Sequence, residues 1–165
     1  MRPPARKASL LRAAGSPGAQ PSPAFSLPLR VYYQDTDSGG VVFHGNYLQF
    51  FERVRTEWLR ALGFDVRTLA AQDNLLFIVR EVRVNYLRPA LVDDLLTATV
   101  ELEHLGRAQF TLGQRVLRGD ELLVEGSVNL ACVSTDELKP MRVPPHVHAA
   151  LQATLGLEVT QEEEA

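Results

Sequence analysis

Apolar positions recur with two different periods along this chain, and the switch between them outlines the fold. From Asn46 onward, Tyr47, Phe50, Phe51, Val54, Trp58, Ala61 and Leu62 follow the i, i+3, i+4, i+7 spacing of one helical face, predicting a helix of about 16 residues. Asn46 is the expected N-cap, because its side chain can accept from free amides of the first turn. Gly63 is placed for the left-handed position that ends a helix, with Phe64 packing back on the last turn. After residue 75 the period is two. Leu76, Ile78, Val82, Val84 and Tyr86 alternate up to Arg88-Pro89, and Leu96, Ala98, Val100 and Leu102 form a second run. Ala108, Phe110, Leu112 and Val116 follow a turn at Gly106. Leu122, Val124, Val128, Leu130 and Cys132 follow a hairpin turn at Gly119-Asp120. Ahead of the helix, "LPLRVYYQ" reads as a short strand with Pro28 near its start, where a missing ladder donor is tolerated. The order is strand, long helix, four strands. Tight turns between long strands favour an antiparallel sheet, and the helix must lie on one face of it, an α+β layout in which the sheet curls around the helix. A short helix is expected over 144–155.

Composition narrows the class without changing the outline. The chain has 165 residues, 45% apolar and 22% charged, the profile of a globular domain with a core large enough to need no disulfide staples. A net charge of −3 excludes a wholly electrostatic nucleic-acid binder. The single cysteine, Cys132, falls in an apolar alternating run and reads as a buried small hydrophobe rather than a nucleophile. One cysteine permits no intramolecular disulfide, which fits a reducing, cytoplasmic setting. No apolar run approaches the ~20 residues of a membrane span. Residues 1–26 are basic, acid-free and Pro/Gly/Ser-rich, and are expected to form a disordered extension. Residues 27–140 form the expected domain. The segment 141–165 carries the possible helix and ends in an acidic tail.

Candidate chemistry concentrates in "VYYQDTDSGGVVFHGNY", residues 31–47. Asp37 follows the first strand and precedes paired glycines, and the segment then enters the helix. Gly39 and Gly40 permit backbone conformations other residues resist and let a ligand approach the main chain. Free N–H groups at a helix start favour negative charge, such as a developing oxyanion. A carboxylate facing such a start is the outline of an acyl-transfer site. His44, just before the helix, is placed to orient the carboxylate, shuttle a proton or contact a leaving group. Tyr33 can hold a hydrogen bond to the site. The same tetrad, Asp37-Ser38-Gly39-Gly40, also has the composition of a plain turn. Asp35, Asp37 and His44 could supply metal ligands, but no second cluster with metal spacing follows, so no metal site is assigned. His104 beside a turn, and His146 and His148 near the end, read as surface residues.

The stretch from Arg30 to Gly63, "RVYYQDTDSGGVVFHGNYLQFFERVRTEWLRALG", resembles the hotdog-fold acyl-CoA thioesterases. The branch it resembles is the Tol-Pal-associated one, related to 4-hydroxybenzoyl-CoA thioesterase. The matching positions are Arg30-Val31, Thr36-Asp37, Gly40, Val42, His44, Tyr47 and "ERVRTEW", with "VNYLRPALVDDLL" similar further on. The resemblance covers about residues 27–140. It implies a hotdog fold, an antiparallel sheet wrapped around one long central helix, and homodimers or homotetramers with active sites at the subunit interface. It implies Asp37 as nucleophile or general base, His44 and Tyr33 as accessory catalytic residues, and backbone N–H groups near His44 polarising the thioester carbonyl. Glu52 is the second candidate carboxylate, because a sibling branch carries it on the helix. Gly40, Val41 and Arg88 are the implied substrate-binding residues, with Arg83 a further candidate for the phosphates of coenzyme A. Coenzyme A enters as part of the substrate, so no cofactor is called for. Acyl carrier protein is a possible partner, and the rival reading is a carrier-protein or envelope-complex interaction module with weak thioesterase activity.

Overall fold

The long helix expected from the sequence, α1 (Asn46–Ala61), buries Tyr47, Phe50, Phe51, Val54 and Trp58 against a curved sheet. The computed structural model describes residues 11–12 and 23–156. Its strands are β1 (Leu11–Arg12), β2 (Pro23–Arg30), β3 (Leu75–Tyr86), β4 (Leu95–Leu105), β5 (Gln109–Arg118) and β6 (Glu121–Ser134). Their spatial order is β1-β2-β4-β5-β6-β3, with every pairing antiparallel. Two further helices are α2 (Val66–Asp73) and α3 (Pro145–Gly156). The α+β layout of one long helix held by an antiparallel sheet is as the sequence predicts. Strand β2 starts at Pro23, ahead of the expected boundary. Most of the expected extension and the acidic tail lie outside the described residues.

Three differences have physical causes. The N-cap of α1 is Gly45, not Asn46, and it caps with no side chain. Asn46 instead turns its amide back to Asp35, donating from Nδ2 to the Asp35 carbonyl and carboxylate at 3.2 and 3.1 Å. Second, helix α2 was not anticipated, because only Leu69 of its eight residues is buried and no apolar period shows. Its start was nevertheless legible. Asp65 accepts from the Thr68 N–H at 2.9 Å and the Thr68 hydroxyl at 2.8 Å, an N-cap three residues ahead of its partner. Third, β3 changes parity. A bulge between Val79 and Glu81 breaks its register with β6, so Leu75 and Phe77 face the core before it and Val84 after it. The even-numbered alternation from Leu76 to Tyr86 therefore holds only for the second half of the strand. A similar irregularity near Leu117 puts Leu123, rather than Leu122, in the core.

Gly63 ends α1 as expected, with φ +98° and the Phe64 N–H bonded to the Leu59 carbonyl at 2.9 Å. Cys132 is fully buried, and burial pushes its thiol up to about 11, which removes it as a nucleophile. His146 pairs with Asp73 at 3.3 Å, joining α3 to α2. Among the described residues no helix is long and apolar enough to cross a membrane.

Candidate active site

The segment between β2 and α1 folds into a tight hairpin. Thr36 bridges Val42, the Asp37 N–H donates to the Val41 carbonyl at 2.8 Å, and the Phe43 N–H donates to the Asp35 carbonyl at 2.9 Å. Asp37 sits at the tip. Its carboxylate accepts the Gly39 N–H at 2.8 Å, and its carbonyl accepts the Gly40 N–H at 3.1 Å. The tetrad is therefore a turn, built by the Asp side chain itself, and the turn holds an exposed carboxylate in place. Gly40 has φ +80°, a conformation that favours glycine. The hairpin tip lies about 7 Å along the ladder from the Asp35–Phe43 pairing. Phe43 in turn accepts the Asn46 N–H at 2.9 Å, so the hairpin and the start of α1 form one unit.

Asp35 binds that unit together. It is buried, and its carboxylate accepts the Tyr32 N–H at 2.8 Å beside the Asn46 amide. The two aspartates, one residue apart, thus have opposite surroundings: Asp35 holds the backbone and Asp37 faces solvent.

The helix start is open. Gly45 offers no capping side chain, and no described residue accepts the N–H of His44 or Gly45. The His44 carbonyl accepts the Tyr86 hydroxyl at 2.9 Å. Beside it lies a cavity of about 260 Å³ lined by Val42, His44, Tyr47, Tyr86, Leu87 and Arg88, with Pro89 at its end. This cavity brings His44 and Arg88 together. Arg88 is exposed and paired with Glu121 at 3.4 Å, a weak surface contact. Gly40 and Val41 belong to the Asp37 hairpin rather than to the cavity wall. The Tyr33 ring is 87% exposed, and its hydroxyl has no hydrogen-bond partner among the described residues. Arg83 pairs with Glu81 and lines a separate groove on the sheet. Glu52 stands about 9 Å further along α1 than Asn46. It lines a small cavity of about 150 Å³ with Arg55, Leu59, Phe77 and Leu112. Tyr86 lines the cavity although motif reading gave it no role, and Tyr47, a matching position of the resemblance, lines it without having been assigned to the site. The signal for Tyr86 was its place at the end of the alternating run in β3.

The wall formed by residues 87–94 is clamped by one guanidinium. Arg118 donates to Asp94 at 2.7 Å, to Glu121 at 3.0 Å and to the Pro89 carbonyl at 3.3 Å. Asp94 also accepts the Leu91 N–H at 2.8 Å. Burial pushes the Asp94 carboxyl up, but the Leu91 N–H and Arg118 outweigh it, and it titrates below the ordinary range. Its stabilisation is therefore complete above the unfolded pKa of about 4 and is lost as pH falls through the lower folded value. In urea unfolding between pH 7 and pH 3, Asp94→Asn should be less stable than wild type at neutral pH, with the gap closing on acidification. A gap independent of pH would contradict this account.

A family model described as "Thioesterase superfamily" matches residues 39–125. The chain belongs to the thioesterase superfamily. Gly40, Val41, His44 and Arg88 fall within the matched residues, while Tyr33 and Asp37 lie just before them. This superfamily member is 44% identical over 126 residues to the acyl-CoA thioesterase YbgC of Haemophilus influenzae, covering 76% of this chain and 93% of the relative. It is 39% identical, with the same coverage, to the acyl-CoA thioester hydrolase YbgC of Escherichia coli O157:H7. A crystal structure of a probable thioesterase from Bartonella henselae superposes with a TM-score of 0.70 at 42% identity, covering 72% of this chain and 98% of that one. The hotdog fold and the thioester-hydrolase class expected from the sequence both hold.

Proposed function

We propose that the protein hydrolyses acyl-CoA thioesters at the joint between the Asp37 hairpin and α1. The observation that carries this reading is the open helix start, where the His44 and Gly45 N–H groups have no acceptor among the described residues and a carboxylate-bearing turn is fused to the same unit. The names of the YbgC relatives supply the acyl-CoA substrate class. Asp37 takes a proton from water as the water adds to the carbonyl carbon, or attacks that carbon itself to form a mixed anhydride that water hydrolyses once the thiolate has left; in either route the oxygen that gains charge is held by backbone N–H groups. The intermediate collapses with cleavage of the carbon–sulfur bond, the thiolate of coenzyme A takes up a proton, and the free acid leaves. His44, exposed at the cavity, is placed to contact the departing sulfur. Arg88 is placed to exchange its weak Glu121 contact for a phosphate oxygen, a gain in geometry for a planar guanidinium. The test is release of coenzyme A from a panel of acyl-CoA thioesters by wild type and Asp37→Asn. No release from any member would sink the reaction class, and undiminished turnover by the variant would sink the role of Asp37.

Homo-oligomers belong to the same proposal. Among the described residues strand β3 pairs only with β6, so its other edge runs open there, and Ile78, Val79 and Val82 are exposed on this strand. An apolar open edge of this length is a template for pairing with another strand, here the same strand of a second copy. The expected result of Val79→Lys with Val82→Lys is a smaller solution mass by light scattering. Retention of the wild-type mass at low micromolar concentration would place the interface elsewhere.

A further inference from the structure

Tyr86, the last residue of β3, meets the helix start from the sheet side. Its hydroxyl donates to the His44 carbonyl at 2.9 Å. Its ring stands edge-on to His44, with centroids 6.5 Å apart, and to Tyr47, with centroids 5.6 Å apart. Tyr47 is itself fixed, being buried with its hydroxyl accepting the Ala90 N–H at 3.0 Å. Tyr86 is thus braced by a buried ring while its hydroxyl holds the peptide group that opens α1.

The consequence follows from peptide geometry. In a trans peptide the C=O and N–H point opposite ways. Holding the His44 carbonyl against Tyr86 aims the Gly45 N–H away from Tyr86. One residue earlier the Phe43 carbonyl is taken by the Asn46 N–H, which aims the His44 N–H away from the helix. Both carbonyls are occupied and both amides are unbonded among the described residues. A flipped 44–45 peptide would put a carbonyl oxygen where an N–H now stands, and a negative oxygen would be repelled. Residue 45 is glycine, the residue least resistant to such a flip. A Cβ there would lie 2.9 Å from a ring carbon of the exposed Phe43, so a side chain would fit only if that ring moved aside. Residue 45 has no side chain to fix the orientation, and the Tyr86 hydroxyl is bonded to the carbonyl of this peptide.

We infer that Tyr86 is a positioning residue, holding the His44–Gly45 peptide so that the helix start presents N–H groups to the developing oxyanion. It acts through the peptide and not on the substrate. The inference rests on the thioesterase reading above and deepens it.

Tyr86→Phe keeps the ring and removes only the hydroxyl. Outright loss of an oxyanion donor lowers turnover roughly 10²–10³-fold, so loss of its positioning should lower kcat about 10-fold. KM and the affinity for an acyl-CoA thioether, which has no carbonyl to polarise, should stay within about twofold, since uniform binding is untouched. The Tm should move by no more than about 2 °C. An unchanged kcat would overturn the inference. So would parallel loss of kcat, thioether affinity and Tm, which would mark a structural role. Failure of the underlying reading shows separately, as wild type releasing no coenzyme A from any thioester.

Discussion

Asp37→Asn is expected to lower kcat by at least about 10²-fold, the lower bound for removing a positioned general base, with the Tm unchanged. The change isolates charge from structure. Asp37 is exposed, and its described hydrogen bonds are to the turn it builds: its carboxylate to the Gly39 N–H, its carbonyl to the Gly40 N–H, its N–H to Val41. An asparagine side-chain oxygen can accept from Gly39 in the same place, so the hairpin persists. What disappears is the negative charge that attacks a carbonyl or takes a proton from water. Asp35→Asn supplies the contrast. Asp35 accepts from the Tyr32 N–H and the Asn46 amide in a buried setting, and an introduced NH₂ would face one of those donors. That mismatch leaves buried donors unsatisfied at a cost of about 1–3 kcal/mol, so the Asp35 variant should lose stability. The assay is coenzyme A release with thermal unfolding on both variants. Equal behaviour of the two would show that the aspartates are not divided between chemistry and structure.

Much of this division was readable from residue order. The period of the apolar residues located α1 to within one residue at its start, and the strand pattern located β4 and β5, because β4 buries alternate positions from Leu96 to Leu102 and β5 from Phe110 to Val116. Strand β3 escaped because a bulge inverts its parity midway, and a bulge has no signature in an alternating run of valine, isoleucine and charge. The site was partly legible for a related reason. Asp37, the glycines and His44 are contiguous in sequence, so their joint position at a helix entry follows from local structure. Arg88 and Tyr86 come from a strand end some 40 residues later, and only the sheet pairing brings them to the same place. Tyr33 shows the limit of adjacency: four residues from Asp37 in sequence, its ring stays in solvent within one chain. Asn46 failed as a cap because a buried carboxylate competed for its amide, a tertiary contact that outweighed the local preference.

The seat of α1 on the sheet should prove as sensitive as the site it serves. Gly126, in β6, lies opposite Gln114 of β5 and Val84 of β3. A Cβ at 126 would lie 3.1 Å from Cε2 of the fully buried Phe51 and well inside van der Waals contact with the Arg83 carbonyl oxygen. The first neighbour is a ring packed under α1, and the second is backbone paired in the sheet, so neither can rotate away. Gln114, 1% exposed, ties the same point from the other strand: its Nε2 donates to the Phe51 carbonyl at 3.0 Å while its Oε1 accepts from Arg55 at 3.0 Å. Gly126→Ala must therefore either part β3 from β6 or lift α1 off Gln114. Replacing a strand glycine gains about 0.5–1 kcal/mol of backbone entropy, whereas overpacking costs about 1–3 kcal/mol and sometimes more. With backbone as one of the clashing groups the upper end applies, and the net loss is about 2 kcal/mol or more, a fall in Tm of about 4–8 °C. Because α1 carries the open N–H groups at its start, the variant should also lose turnover at temperatures where it is still folded. Thermal unfolding with coenzyme A release at 20 °C measures both. A Tm within 1 °C of wild type would mean that the sheet yields at this point, and that the position of α1 does not depend on the missing side chain.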